Sequence, residues 1–342
     1  MSKTDISVLV IYTGGTIGMM KNEKTGALEP FNFENLYKHI PVLERYPFNI
    51  DFYSFDPLID SSDMNPDFWK ELAKVIEQNY EAYEGFVVLH GTDTMSYTAS
   101  ALSFMLNNLN KPVILTGSQL PLGMLRTDGI ENFTTAIEIA GDRSNNKPVI
   151  PEVCVYFENR LFRGNRTTKF SSENFNAFFS GNYPTLAEVG IDIKYNVGCI
   201  RKPNTDKLQV SYELDNNIAL LKLFPGISQQ AVHSILNIEG LKGVVIETFG
   251  SGNAPSAPWF IKELKSAIDS GIIIYNVSQC KAGSVDLAKY QAGLQLEEIG
   301  VISGHDITPE SAITKMMHLF GTENDSDKIK SLLEKSLRGE MI

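Results

Sequence analysis

Short runs of β-branched and aromatic residues alternate with stretches of helical spacing along this chain. The runs Ile6–Tyr12, Ile50–Phe55, Phe86–His90, Val113–Thr116 and Glu152–Phe157 are mostly apolar on both faces. That pattern predicts strands of a covered, mostly parallel sheet. Helices are predicted between them. Asn65-Pro66 reads as an N-cap followed by proline at the first helical position, and Phe68, Leu72, Val75 and Ile76 then recur at helical spacing. Thr94–Leu109 and Gly129–Ala140 also read as helices.

Between residues 181 and 206 the pattern lapses, punctuated by Gly181, Pro184, Gly190, Gly198 and Pro203. The expected organisation is therefore a large N-terminal α/β domain over 1–190, a linker over 191–212 and a smaller C-terminal α/β domain over 213–342. In the last of these, Ile218–Leu223, Gly243–Phe249 and Ile272–Val277 read as strands. Ser228–Ile238, Ala257–Asp269, Thr308–Phe320 and Asp325–Leu337 read as helices.

The chain has 342 residues, enough for a core in each half. Thirty basic against 41 acidic side chains give a net charge of −11, with no basic cluster. This argues against binding of nucleic acid or an anionic membrane. No apolar run approaches the ~20 residues of a membrane span. Ile6–Tyr12 is too short for a secretory core and runs straight into a glycine turn. Cys154, Cys199 and Cys280 are odd in number and far apart, which fits a reducing compartment; the expected location is cytoplasmic.

Several chemistries lack their motifs. There is no P-loop, and Gly250-x-Gly252 lacks the third glycine of a dinucleotide fingerprint. With no C-x-x-C or H-E-x-x-H and five scattered histidines (His39, His90, His233, His305, His318), neither a metal nor another cofactor is expected. No G-x-S-x-G nucleophile elbow occurs. Ser144-x-x-Lys147 and Ser278-x-x-Lys281 match S-x-x-K only as chance would.

Polar clusters do stand at strand ends, where the ligand crevice of an open α/β sheet lies. Thr13-Gly14-Gly15-Thr16-Ile17-Gly18 follows the first strand. Its glycines allow a tight turn and close backbone approach, although a turn alone would need no more. Asp60-Ser61-Ser62-Asp63-Met64 suits either a capped turn or a polar ligand. His90-Gly91-Thr92-Asp93-Thr94-Met95 places Asp93 or Thr94 as a helix cap, yet capping does not explain a second Gly-Thr pair at a second strand end. Thr116-Gly117-Ser118-Gln119-Leu120-Pro121 is a further polar end. In Arg163-Gly164-Asn165-Arg166-Thr167-Thr168-Lys169, composition alone favours Lys169 as a surface charge. Beside Thr92 and Asp93 it would instead act on a threonine hydroxyl, desolvation lowering its pKa and Asp93 opposing. Threonine is a weak nucleophile that needs an adjacent base, so a Thr–Lys–Asp set suits acyl transfer.

These clusters, with Gly250-Ser251-Gly252-Asn253-Ala254-Pro255 and Ser278-Gln279-Cys280, resemble the bacterial-type L-asparaginase/glutaminase family in its cytoplasmic type I branch, over nearly the whole chain. The resemblance implies cofactor-free hydrolysis of L-asparagine to L-aspartate and ammonia by a homodimer or homotetramer. It implies Thr16 as nucleophile and Thr92, Lys169 and Asp93 as a second triad that relays protons. Asp93 would also meet the substrate α-amino group. Ser61 and Ser62 would hold the α-carboxylate, Ser118 would contact the side-chain amide, and Gly15 would line the site. Alternatives on the same fold are an ammonia-supplying amidotransferase subunit and a non-catalytic amino-acid sensor. The amidotransferase reading expects an extra domain before the first strand, and the intact Thr16, Thr92, Asp93 and Lys169 argue against the sensor.

Two departures follow. Many relatives carry a flap tyrosine about ten residues after the first threonine; here the segment reads Lys24-Thr25-Gly26-Ala27-Leu28, and the nearest downstream tyrosine is Tyr37. Some type I enzymes bind asparagine between subunits through an arginine where Glu247 stands here. Cys280, Asn253 and His305 lie in matching segments, but a carboxylate at 247 would repel the effector's, so weak or absent allostery by this route is expected.

Overall fold

A computed structural model of the chain describes residues 6–21, 28–30 and 40–342. Contacts divide the chain into two units, 1–210 and 211–342.

In the first unit an eight-stranded sheet is built from β1 (Ser7–Tyr12), β2 (Asn49–Ser54), β3 (Gly85–Leu89), β4 (Val113–Thr116), β5 (Val153–Phe157), β6 (Arg160–Arg163), β7 (Ala187–Val189) and β8 (Ile193–Tyr195). Its order is β8-β7-β6-β5-β4-β3-β1-β2. Strands β2 to β5, with β1, pair in parallel, and β6 to β8 add antiparallel. The parallel part thus reads 2-1-3-4-5, with the strand order reversing at β1 and β3. Both faces are covered. Val8, Val10, Tyr12, Val87 and Leu89 pack with Phe133, Ala136, Ile137 and Ala140 of the helix Gly129–Gly141. The intervening Leu9, Ile11, Phe86 and Val88 are buried as well.

Asn65 caps the helix Pro66–Asn79 as expected, its side chain accepting from the amides of Asp67 and Phe68. The next helix, Met95–Met105, stops earlier than its apolar pattern. Leu106–Asn107 instead pairs with Gln209–Val210, which fastens the end of the first unit to its own body. The expected linker over 191–212 also carries β8. Strands this short have too few residues for alternation to register, which is why 181–206 looks irregular in sequence.

In the second unit, β9 (Ile218–Lys222), β10 (Gly243–Thr248), β11 (Ile273–Ser278) and β12 (Ile302–Ser303) form a parallel sheet in sequential order. Val244, Ile246 and Ile274 face Val232, Leu236, Phe260 and Leu264. Val245, Ile273, Tyr275 and Val277 face Met316, Leu319, Ile329 and Leu333. No described helix is long and apolar enough to cross a membrane.

Candidate active site

Strand order places a crevice where neighbouring connections leave in opposite directions, beside β1 and β3. The loops after those two strands meet there closely. Gly15 adopts φ 91°, and a Cβ on it would lie 2.5 Å from the backbone N and Cα of Gly91. A Cβ on Gly91 would lie 2.4 Å from Ser61 Oγ, and one on Gly117 2.4 Å from the His90 carbonyl. Only glycine permits these contacts, so the glycines draw four polar loops into one place. Among the described residues no group of three or more His, Cys, Asp or Glu side chains is arranged to hold a metal.

Lys169 arrives at this place from the turn after β6. Its segment Thr168–Lys169 pairs with Phe178–Phe179, and the pairing fixes its direction. Lys169 Nζ donates to Thr92 Oγ1 at 2.9 Å and to Asp93 Oδ1 at 2.5 Å. The ammonium is largely enclosed while the carboxylate is open to solvent, with side-chain exposures of 17% and 66%. Neither Asp93 nor Thr94 caps the helix after them. Asp93 is taken up by Lys169, and Thr94 Oγ1 donates to the Ser61 carbonyl at 2.6 Å, tying the third loop to the second cluster.

The remaining candidates divide. Thr16 opens a single 3₁₀ turn, Thr16–Gly18, and its hydroxyl has no hydrogen-bond partner among the described residues. Ser61 is buried against Gly91. Ser62 is exposed, and its amide and hydroxyl both donate to Asp60 Oδ1 at 2.8 Å, which holds the Asp60 carboxyl below its usual range. Ser118 is buried, and its hydroxyl donates to the Leu120 carbonyl at 2.6 Å. The flap residues 24–27 and Tyr37 lie outside the described residues.

A different tyrosine touches the Thr16 turn. The Tyr12 phenol lies 3.5 Å from the Gly15 carbonyl, and its ring fills the space a Cβ on Gly18 would need. Burial pushes its pKa up to about 12, so at neutral pH it keeps its proton and supports the turn without serving as a base.

Gln119 is a site residue that sequence reasoning passed over. Its Nε2 donates to the Asn174 carbonyl at 3.0 Å, which turns Oε1 toward Thr92; the Thr92 hydroxyl donates to it at 3.4 Å. Thr92 Oγ1 thus accepts from Lys169 while its own proton points at Gln119. The signal was its place beside Ser118 at a polar strand end.

The chain matches known proteins over nearly its whole length. The family model "Asparaginase, N-terminal" matches residues 7–201, and "Glutaminase/Asparaginase C-terminal domain" matches 217–333. The chain is 42% identical to L-asparaginase 1 of Escherichia coli (strain K12) over 98% of both chains. It is 43% identical to the 60 kDa lysophospholipase of Mus musculus, covering 98% of this chain and 62% of that protein. The crystal structure of L-asparaginase I from Vibrio cholerae superposes with a TM-score of 0.88 at 40% identity, covering 98% of this chain and 99% of that one.

Proposed function

Because the chain belongs to the asparaginase family, we propose that it hydrolyses L-asparagine to L-aspartate and ammonia through a threonine nucleophile. Thr16 Oγ attacks the side-chain amide carbon. The C–N bond breaks, the threonine proton leaves with ammonia, and an aspartyl ester remains on Thr16. Water then adds to that ester, restoring the hydroxyl and releasing the carboxylate. Backbone N–H groups of the glycine loops carry the oxyanion in both steps. Thr92, Lys169 and Asp93 move the protons. Ser61 and Ser62 receive the α-carboxylate, Asp93 the α-amino group, and Ser118 the amide, with Gly15 lining the pocket.

The observation that carries this reading is the Lys169 ammonium held between Thr92 and Asp93, residues 77 and 76 positions away in the chain. A surface lysine has no reason to be enclosed against a threonine hydroxyl. With the zwitterionic end fixed, the extra methylene of glutamine would displace the amide carbon, and a misplacement of about 1 Å costs ~10²-fold in rate. The proposed setting is the reducing cytoplasm, consistent with three free cysteines, and the proposed assembly is a homodimer or homotetramer, to be measured by light scattering.

The test is ammonia release from asparagine and from glutamine over a wide concentration range, with Thr92→Ala as control. Release from asparagine that the substitution abolishes is the expected result. A folded protein that releases ammonia from neither would overturn it. The asparagine curve is expected to be hyperbolic. Glu247 is buried, with Oε2 2.8 Å from Lys222 Nζ, so position 247 holds a carboxylate that is already paired and that would repel an effector's carboxylate. Strong sigmoidality would count against that expectation.

A further inference from the structure

A buried histidine beside the proposed triad takes no part in the proposed chemistry. His90 directly follows β3 and precedes Gly91 and Thr92, and it is 1% exposed. Its Nδ1 lies 2.7 Å from the Gly91 carbonyl oxygen, and its Nε2 lies 2.9 Å from Thr98 Oγ1. Thr98 Oγ1 in turn accepts from Trp69 Nε1 at 2.9 Å. Thr98 and Trp69 are themselves buried. A chain of three hydrogen bonds therefore runs from one helix through a second to the loop that carries Thr92.

Proton bookkeeping fixes the direction of that chain. A carbonyl oxygen only accepts, so Nδ1 must carry the hydrogen facing Gly91. An indole N–H only donates, so Thr98 Oγ1 receives it and has its own hydrogen to give. Nε2 of a neutral ring is the acceptor that remains. The ring is neutral because burial pulls its pKa down to about 4, the Gly91 carbonyl opposing only in part.

The consequence lies across the next peptide bond. In a trans peptide the carbonyl of Gly91 and the N–H of Thr92 point in opposite directions. The Gly91 carbonyl is held toward the interior by His90. The Thr92 N–H then points the other way and has no hydrogen-bond partner among the described residues. Resting on the proposed acyl transfer, we infer that His90 is a positioning residue: through Trp69, Thr98 and the Gly91 carbonyl it aims the unpaired Thr92 N–H at the acyl oxygen that becomes the oxyanion. His90 touches no substrate. Its contribution is to stop the Gly91–Thr92 peptide from rotating as charge develops, which is the preorganisation an oxyanion donor needs.

The two nitrogens of the ring allow a discriminating test. Asparagine at 90 can place a side-chain amide near the Nδ1 position and still donate to Gly91. Glutamine reaches the Nε2 position and abandons Gly91. His90→Gln is expected to lower kcat by on the order of 10²-fold, with KM within about threefold, because an interaction used in the transition state is lost. His90→Asn and Thr98→Ser are expected to stay within about tenfold of the parent enzyme, and Thr98→Val to fall toward His90→Gln. Equal losses for His90→Asn and His90→Gln, or losses that appear in KM alone, would overturn the inference. A long-range ¹H–¹⁵N spectrum of the parent protein gives a readout that needs neither folding of a variant nor turnover. A proton on Nδ1 with bare Nε2 is expected, and a proton on Nε2 overturns the inference. Should the parent release no ammonia, the proposed function fails separately. The positioning role then stands or falls on this tautomer and on whether Thr98→Val shifts the Thr92 amide resonance.

Discussion

The two main sheets of this protein differ in one topological respect, and the polar groups at their strand ends differ with it. The first runs 2-1-3-4-5 in its parallel part and reverses direction at β1 and β3; the second runs in sequential order and never reverses. Only the reversal opens a crevice at the strand ends. At the first sheet, side chains at those ends face one another across loops. At the second they are taken up locally. Ser278 Oγ donates to the Gly250 carbonyl at 2.6 Å, Thr248 Oγ1 to Asn276 Oδ1 at 2.7 Å, and Gln279 Nε2 to the Leu223 and Glu247 carbonyls at 2.6 and 2.9 Å. The same contrast separates two lysines. Lys169 meets a hydroxyl and a solvated carboxylate. Lys315 is sealed at 0% exposure against an equally buried Glu340 at 2.8 Å, with the Leu333 and Lys335 carbonyls and Met341 Sδ as its further acceptors. Burial pulls the Lys315 pKa down, and Glu340 restrains it. A lysine saturated by fixed acceptors is structural; one that faces a hydroxyl at a crevice is placed for the proposed proton transfer.

The sharpest way to break this comparison is to remove each charge in turn. Lys169→Met is expected to lower kcat by about 10³-fold or more, in the upper range for loss of a proton-transfer group. Its melting temperature should change little, since Asp93 is left in water and not buried alone. Retained activity in ammonia release would remove Lys169 from the mechanism. Lys315→Met should do the reverse. It strands a buried carboxylate, which costs about 3–5 kcal/mol, while the double variant Lys315→Met/Glu340→Leu recovers most of that. Urea unfolding measures both, and ammonia release per folded molecule should stay at the parent level. A Lys315→Met protein of parental stability would show that the pair carries no structural load.

These contrasts also mark what could be read from sequence. The long apolar runs of β1, β3, β4 and β10 announced themselves because all their positions except Ser7 are buried, and the glycine-threonine ends were visible as motifs. The antiparallel strands β7 and β8 were not, because three residues cannot show a period. Lys169 looked like a surface charge because its partners lie more than seventy positions away. Thr94 looked like a cap because capping is a local rule, whereas its actual partner, Ser61, belongs to another loop. His90 looked like one of five scattered histidines for the same reason.

Acid should separate the parts next. His90 and His318 are both pulled down to about 4 by burial, with Arg338 adding to the effect at His318. Each is neutral in the native protein, whereas in the unfolded chain it protonates below about 6.5. The unfolded state then binds more protons, so stability is complete above pH 6.5 and is lost as pH falls toward 4. The full loss is about 3 kcal/mol per histidine. At Glu340 burial raises the pKa, but Lys315 and the Leu337 and Arg338 amides outweigh it and hold the carboxyl below its usual range. Its contribution therefore persists to lower pH and is lost only as pH falls through that depressed value. Urea unfolding at pH 7.5, 6 and 5 checks the order. His318→Gln should remove about half of the slope above pH 5. A flat profile between pH 7.5 and 5 would mean that neither ring is buried neutral.

The smallest effects compare a true cap with an apparent one. Asn65 Oδ1 accepts from the amides of Asp67 and Phe68, both at 3.1 Å, so it satisfies donors that the first helical turn leaves open. Asn65→Ala should therefore cost about 1 kcal/mol of stability and leave kinetics unchanged. Thr94 occupies the same position on the next helix, but its hydroxyl donates to the Ser61 carbonyl, not to the helix. Thr94→Val should scarcely move the melting temperature. Its effect should appear in substrate binding, because it releases the loop proposed to hold the α-carboxylate. One hydrogen bond of ~1 kcal/mol lost from that loop would appear as about a fivefold rise in KM. If Thr94→Val instead lowers stability as much as Asn65→Ala and leaves KM alone, the hydroxyl acts on the helix, and the loop containing Ser61 is held by other means.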